Sequence, residues 1–379
     1  MIATALVAIV IAVSFASRQP VLRTLFRWLP VPLWCYALPL LAVSAGWMPQ
    51  GHPAYRLVTD RLLPVALALL LLGLDVRAVA RSGRAAVIAA AIGAAGIMIA
   101  APAWVWLLKD RLPLESWKGA GSLAATWTGG TMNLLAIRSI LQTPEAIFAP
   151  LILVDALVAY SWMALLVGAC AFQQTINGWL RATTSLGAQP SLTERAASRH
   201  HAGAQAACVA VAVALTLGAR AVAPRLPTSM FVTSAAGWAV LLVTTAAMSL
   251  ALVPSIRRLG VGGERLGTAS LLVVLAATGA QADLGALRSA PAWLLVGGAT
   301  VATHGALLVL AGWWLHIPLG TLATASQANV GGAVSAPMVG AVYHQSLVPV
   351  GLLLAMAGNA VGTYCGLLAA GVCRWLVGH

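Results

Sequence analysis

The sequence predicts an all-α integral membrane protein made of two inverted repeats. It has about ten transmembrane helices and two broken or re-entrant elements, each marked by a Gly-Gly pair. Three observations predict this fold class. The first is composition: of 379 residues, 60% are hydrophobic and 8% charged, against about 25% charged in an ordinary soluble domain. One core cannot hide that much apolar surface. The second is length. Apolar runs occur near 1–16, 30–48, 62–75, 85–108, 119–142, 146–172, 203–223, 229–254, 267–281, 291–315, 319–342 and 346–376, each close to the ~20 residues a bilayer requires. The third is that two of these runs are interrupted by polar residues around adjacent glycines: "ATWTGGTMNLLAI" over 125–137 and "ASQANVGGAVSAP" over 325–337.

Taken in order, the elements carry their own justification. Residues 1–16 lack a basic stretch ahead of the apolar run and are followed by Arg18, so they read as a first spanning helix with its N-terminus outside rather than as an export signal. Most later runs are rich in Ala, Leu and Gly without alternation, which favours helices over barrel strands. Trp28, Trp47, Trp104, Trp117, Trp179, Trp293, Trp313 and Trp375 fall near predicted helix ends, where indole rings anchor at the membrane interface. Trp127 instead sits inside a polar break. The five cysteines have no partners at metal-binding spacing and read as packing residues.

The same plan occurs twice. Each Gly-Gly pair, Gly129-Gly130 and Gly331-Gly332, is preceded at a distance by an apolar helix that ends in an acid: Asp75 in "LLGLDVRAVARSGR" and Asp283 in "ATGAQADLGALRS". Both acids read as loop residues. Each pair is followed by a long helix holding a polar group, Asp155 in "LILVDALVAY" and Asn359 in "LLAMAGNAVG". The predicted organisation is an N-terminal membrane repeat over 1–172, a cytoplasmic linker over 173–202 and a C-terminal membrane repeat over 203–379. The linker, "QQTINGWLRATTSLGAQPSLTERAASRHHA", contains His200-His201, which reads as an ordinary loop pair. If both breaks are re-entrant, the halves are inverted, and the inside loops hold more Lys and Arg than the outside loops. If both cross the membrane, that bias reverses, so the positive-inside rule favours inversion.

Net charge is +13, spread over short connections with no stripe. That points to the lipid bilayer as the partner and away from nucleic acid. Unwound backbone inside a membrane leaves N–H and C=O groups that must be satisfied by protein, water or a ligand. Paired interrupted helices are therefore the sequence pointer to a secondary transporter site. Candidate solute-binding residues are Thr128, Gly129, Gly130, Thr131, Asn133, Asn329, Gly331, Gly332, Ser335 and His304. Candidate ion-coupling residues are Asp155, Thr126, Asn133, Ser326, Gln327 and Asn359, with Asp155, Asn133 and Gln327 as oxygen donors for Na+. For each of these the competing role is structural. Asp155 is either a coupling carboxylate or an acid bonded to its neighbours. His304 is either a ligand or a neutral packing residue. Arg138 either attracts anions at an aqueous mouth or snorkels to the surface.

"TWTGGTMNLLAI", "ASQANVGGAVSAP" and the terminal "GNAVGTYCGLLAAG" together resemble the bacterial membrane proteins grouped as domain of unknown function 819, over nearly the whole chain. That family resembles, at a distance, the sodium-coupled glutamate, citrate and bile-acid symporters. The resemblance implies inverted repeats, a core domain with two broken elements, a scaffold domain that forms a homodimer, elevator-type transport and a place in the bacterial inner membrane. It maps onto Thr126–Asn133, Ser326–Pro337 and Asp155. Met132 departs from the pattern, since a small residue is expected there.

The leading expectation is a Na+- or H+-coupled symporter of a small anionic or zwitterionic organic solute, with no other cofactor. The alternatives are a cation/proton antiporter of related fold, for which one Asp is thin support, and an intramembrane enzyme using Asp155 and His304. The chain has no Walker, H-E-x-x-H or G-x-S-x-G motif, so a non-enzyme is expected.

Overall fold

The computed structural model describes residues 2–22, 25, 26, 29, 31–75, 83–182, 202–227, 229, 232, 234–282 and 284–378, and no strand occurs among them. In chain order the helices are α1 (Ile2–Ala16), α2 (Val31–Ser44), α3 (Pro53–Leu71), α4 (Arg84–Leu107), α5 (Ser116–Gly129), α6 (Thr131–Leu141), α7 (Glu145–Ala169) and α8 (Gln173–Trp179). They continue as α9 (Ala202–Val222), α10 (Ala235–Ala251), α11 (Pro254–Gly260), α12 (Glu264–Gly279), α13 (Ala290–Leu315), α14 (Leu319–Val330), α15 (Gly332–Tyr343) and α16 (Leu347–Val377). In lipid a helix satisfies its own backbone, and these apolar sequences have few other options.

Local signals set several helix ends. At α3, Pro53 takes the first position and His52 Nδ1 accepts from Ala54 N, so the start is both pre-shaped and capped. The Ser234 hydroxyl accepts from Gly237 N at the start of α10. Between α10 and α11 the chain bends by 115°, because Pro254 has no N–H to continue the first helix but suits the start of the next.

Among the described residues, five helical segments are long and apolar enough to cross a membrane: Arg84–Leu107, Glu145–Trp179, Gly203–Arg225, Leu287–Leu315 and Leu347–Val377. The bent α10–α11 pair makes six if counted as one span. The remaining apolar runs give shorter helices, such as α1 with 15 residues and α2 with 14, or carry charges, as α3 does at Arg56, Asp60 and Arg61. Phe15, Ile99, Leu217, Leu310 and Leu368 are each more than half exposed. Such side chains belong against lipid rather than water.

The described tryptophans divide. Trp47, Trp179, Trp313 and Trp375 are exposed at helix ends, as interfacial anchors are, whereas Trp117 and Trp293 are buried. Trp117 packs under two cations, Lys118 at 5.5 Å and Arg374 at 5.1 Å from its ring. Trp104 donates its indole N–H to Thr303 Oγ1 at 3.0 Å. Trp28, Asp283, His200, His201 and most of the expected linker (183–201) lie outside the described residues. The start of that linker is helical, as α8.

The chain divides into two compact units. Unit 1 is Met1–Leu74, Leu135–Leu157 and His200–Trp293; unit 2 is Asp75–Leu134, Val158–Arg199 and Leu294–His379. Each unit draws on both halves of the sequence, and the boundaries fall inside α6, α7 and α13. Unit 1 is built around Leu6, Val10, Val13, Cys35, Tyr55 and Ala276, from α1, α2, α3 and α12. α12 approaches α2 so closely that a Cβ on Gly279 would overlap the carbonyl of Tyr36. Unit 2 contains α4, α5, most of α13, α14, α15 and α16, with the ends of α6 and α7 that adjoin them. In chain order α4–α7 and α13–α16 each run as a long helix, two short helices meeting at a Gly-Gly pair, and a long helix.

Candidate functional site

Both breaks lie in unit 2, where α5 packs against α14 and α16. At the first break α5 ends on Gly129. Gly130 N donates to Thr126 O at 2.6 Å, and Gly130 has φ +73°, a backbone state natural to glycine. At the second break Gly331 has an ordinary φ of −110° and Gly332 has φ +76°. The turning glycine is therefore the second of each pair, and the first is glycine for a different reason. A Cβ on Gly129 would stand 2.7 Å from Gly358 O, and one on Gly331 would overlap Gln327 Nε2 and Ser335 Oγ.

The first break is held by α16, whose Gly358, Gly362 and Gly366 recur every fourth residue and form one bare ridge. A Cβ on Gly358 would overlap Thr128 O. One on Gly362 would lie 2.7 Å from Gly129 Cα, and one on Gly121 would lie 2.8 Å from Gly366 O. Small residues at this spacing let two helix backbones touch. Across the ridge, Asn133 Nδ2 donates to Gly129 O at 2.5 Å and to Asn359 O at 3.3 Å, while Thr363 Oγ1 donates to Asn133 Oδ1 at 2.5 Å. Thr128 Oγ1 donates to Ala124 O at 2.7 Å. Asn133 and Thr128 thus satisfy the broken helix itself. Thr126 Oγ1 and Trp127 Nε1 are buried and have no partner among the described residues.

The second break is lined differently. Gln327 Nε2 donates to Ser335 Oγ at 2.9 Å across the gap between α14 and α15, while Gln327 Oε1 is buried with no partner among the described residues. Asn329 Nδ2 donates to Ala90 O at 2.9 Å. His304, fully buried, places Nδ1 2.9 Å from Gly93 O and Nε2 2.9 Å from Ser326 Oγ. A carbonyl can only accept, so Nδ1 carries the proton, and Nε2 then accepts from the Ser326 hydroxyl. Ser326 Oγ in turn accepts from Trp162 Nε1 at 2.8 Å. Ser326 and His304 form a closed neutral network that ties α14 to α4, α7 and α13. Gly93 makes room for it, since a Cβ there would stand 2.7 Å from His304 Cε1.

The sequence-predicted residues therefore divide. Unit 2 gathers Thr126, Thr128, Gly129, Gly130, Thr131, Asn133, His304, Ser326, Gln327, Asn329, Gly331, Gly332, Ser335 and Asn359. Asp155 is half-buried on the part of α7 that belongs to unit 1. Arg138, also in unit 1, neither snorkels nor lines a mouth. It pairs with Glu145, donates to Thr278 Oγ1 at 2.9 Å and lies 4.6 Å over the Phe148 ring. Met132 is buried at 6% exposure and packs as core.

Sequence reasoning did not single out Gly93, Trp162 or Thr363. Thr363 could have been found from the G-x-x-x-G-x-x-x-G spacing of α16, which marks a helix that receives another closely. Nothing local marks Trp162.

Residues 5–376 match the family model described as Protein of unknown function (DUF819). The Uncharacterized membrane protein YjcL of Bacillus subtilis (strain 168) is 23% identical over 356 residues, covering 86% of each chain. With the apolar helices described above, these similarities make the chain a multi-pass membrane protein.

Proposed function

We propose that this chain, which belongs to the DUF819 family of proteins of unknown function, is a secondary active transporter of a small anionic or zwitterionic organic solute, coupled to Na+ or H+. The observation that carries the reading is that three buried polar atoms beside two helix breaks have no partner among the described residues: Thr126 Oγ1, Trp127 Nε1 and Gln327 Oε1. Each such group costs about 1–3 kcal/mol if left unsatisfied. A solute entering with its ion supplies the missing partners, and interrupted helices are where transporters hold both.

The same reading extends to the architecture. It takes unit 2 as the core that carries solute by an elevator mechanism and unit 1 as a scaffold through which two copies pair. It takes the chain as two inverted repeats with about ten spans in the bacterial inner membrane, working without ATP, an organic cofactor, nucleic acid or enzymatic chemistry. Two oxygen sets compete for the ion, Asp155 in unit 1 and Gln327 with Ser335 in unit 2. The second is favoured because Gln327 Oε1 is buried and unpartnered while the amide of Asn133 is fully engaged.

The test is uptake from a mixed metabolite pool by proteoliposomes under imposed Na+ or H+ gradients. A small set of related solutes should accumulate with one gradient. Gln327→Leu should abolish accumulation and Asp155→Asn should retain it. The reverse pattern moves the ion to Asp155, and no accumulation under either gradient removes the transporter reading.

A further inference from the structure

The two breaks sit in a part of the chain that has no fixed charge. From Leu294 to Cys373, and again from Gly119 to Ile137, the sequence contains no Asp, Glu, Lys or Arg. The ionised groups that flank the first break are paired: Lys118 with Glu115 at 2.6 Å, at the end of α5 opposite the break, and Arg138 on α6 with Glu145. His304, the titratable group against the second break among the described residues, is fully buried and hydrogen-bonded at both ring nitrogens.

What the breaks do offer is a balanced set of dipoles. Trp127 Nε1 can only donate, Gln327 Oε1 can only accept, and Thr126 Oγ1 can do either. Dipoles of both signs steady the two ends of a neutral cargo. They do little for a cargo with net charge, whose removal from water is the dominant penalty in an apolar interior.

We infer that unit 2 accepts cargo only when its charges sum to zero: a carboxylate solute enters with one cation for each negative charge. This rests on the transporter reading above and adds a stoichiometry to it. A bare cation does not occupy the site, and an ion and an anionic solute bind only together. Loading then adds no net charge to unit 2, so the cargo itself contributes nothing to any dependence on membrane potential.

The prediction can be tested without knowing the solute, using Na+ alone as the probe. Purified full-length protein is exposed to radiolabelled Na+ in the absence of any solute. Wild type should show no saturable binding. Gln327→Glu places one fixed negative charge beside Gly331 and should raise bound Na+ at least about tenfold, as expected for a close opposite charge. Ser335→Asp offers the same charge from the other side of the gap, should Gln327→Glu fail to elute as a monodisperse helical protein. Saturable Na+ binding by wild type overturns the inference while leaving a transporter in place, since a bare cation would then sit in the site. If both acid variants fold and neither binds Na+, Gln327 and Ser335 face no Na+-accepting space and the inference falls, while the transporter reading stands or falls on the uptake assay above.

Discussion

Asn133 uses both ends of its amide at the first break: its NH2 on the carbonyls of Gly129, which ends α5, and Asn359, and its oxygen on the hydroxyl of Thr363. Thr363 is 1% exposed, so its hydroxyl has no water to fall back on. Thr363→Val keeps the shape and removes the donor, leaving Asn133 Oδ1 buried and unpaired. That should cost about 1–3 kcal/mol, read as a lower melting temperature of the purified protein, whereas Thr363→Ser should melt near wild type. Equal melting of the Val and wild-type proteins would mean that this bond contributes nothing to stability.

The elements show a contrast between glycines that separate helices by nothing and glycines that merely occupy a helix. Gly358 of α16 lies where a methyl group would overlap Thr128 O, while Gly298 of α13 has no neighbour within 4 Å. Gly358→Ala should therefore destabilise by about 1–3 kcal/mol, and Gly298→Ala should be neutral or mildly stabilising, since alanine is the better helix former. Thermal melts of the two variants side by side check this, and a neutral Gly358→Ala would deny the close approach of α5 and α16. The breaks themselves were legible, because a polar run with paired glycines inside an apolar helix has few other meanings. Which glycine of each pair turns the chain was not legible, since both positions look alike until φ is known. Nor was the partner of the first break. Thr363 lies 230 residues from Asn133, and small residues announce that something approaches without saying what.

At the scale of the molecule, the two units cut across the halves of the sequence, and three of their boundaries fall inside helices α6, α7 and α13. No composition shift marks such a boundary, which is why sequence reasoning divides the chain at 173–202 instead. Orientation remains a matter of charge. With inverted halves the Arg-rich connections lie in the cytoplasm. Single cysteines at positions 190 and 261 should then react with an impermeant thiol reagent only from the cytoplasmic face, and one at position 52 only from outside. Labelling of 190 and 261 from opposite faces would rule inversion out. The glycine ridge of α16 also has a consequence for biosynthesis. At about 5–20 residues per second, the ribosome reaches Thr363 roughly 10–50 s after Asn133, and until then the break of α5 lacks the partners it finds on α16. During that interval the nascent chain holds polar groups in the bilayer that water, lipid headgroups or an insertion factor must shelter, so newly made protein lacking its last helix should be a preferred target for membrane quality-control proteases.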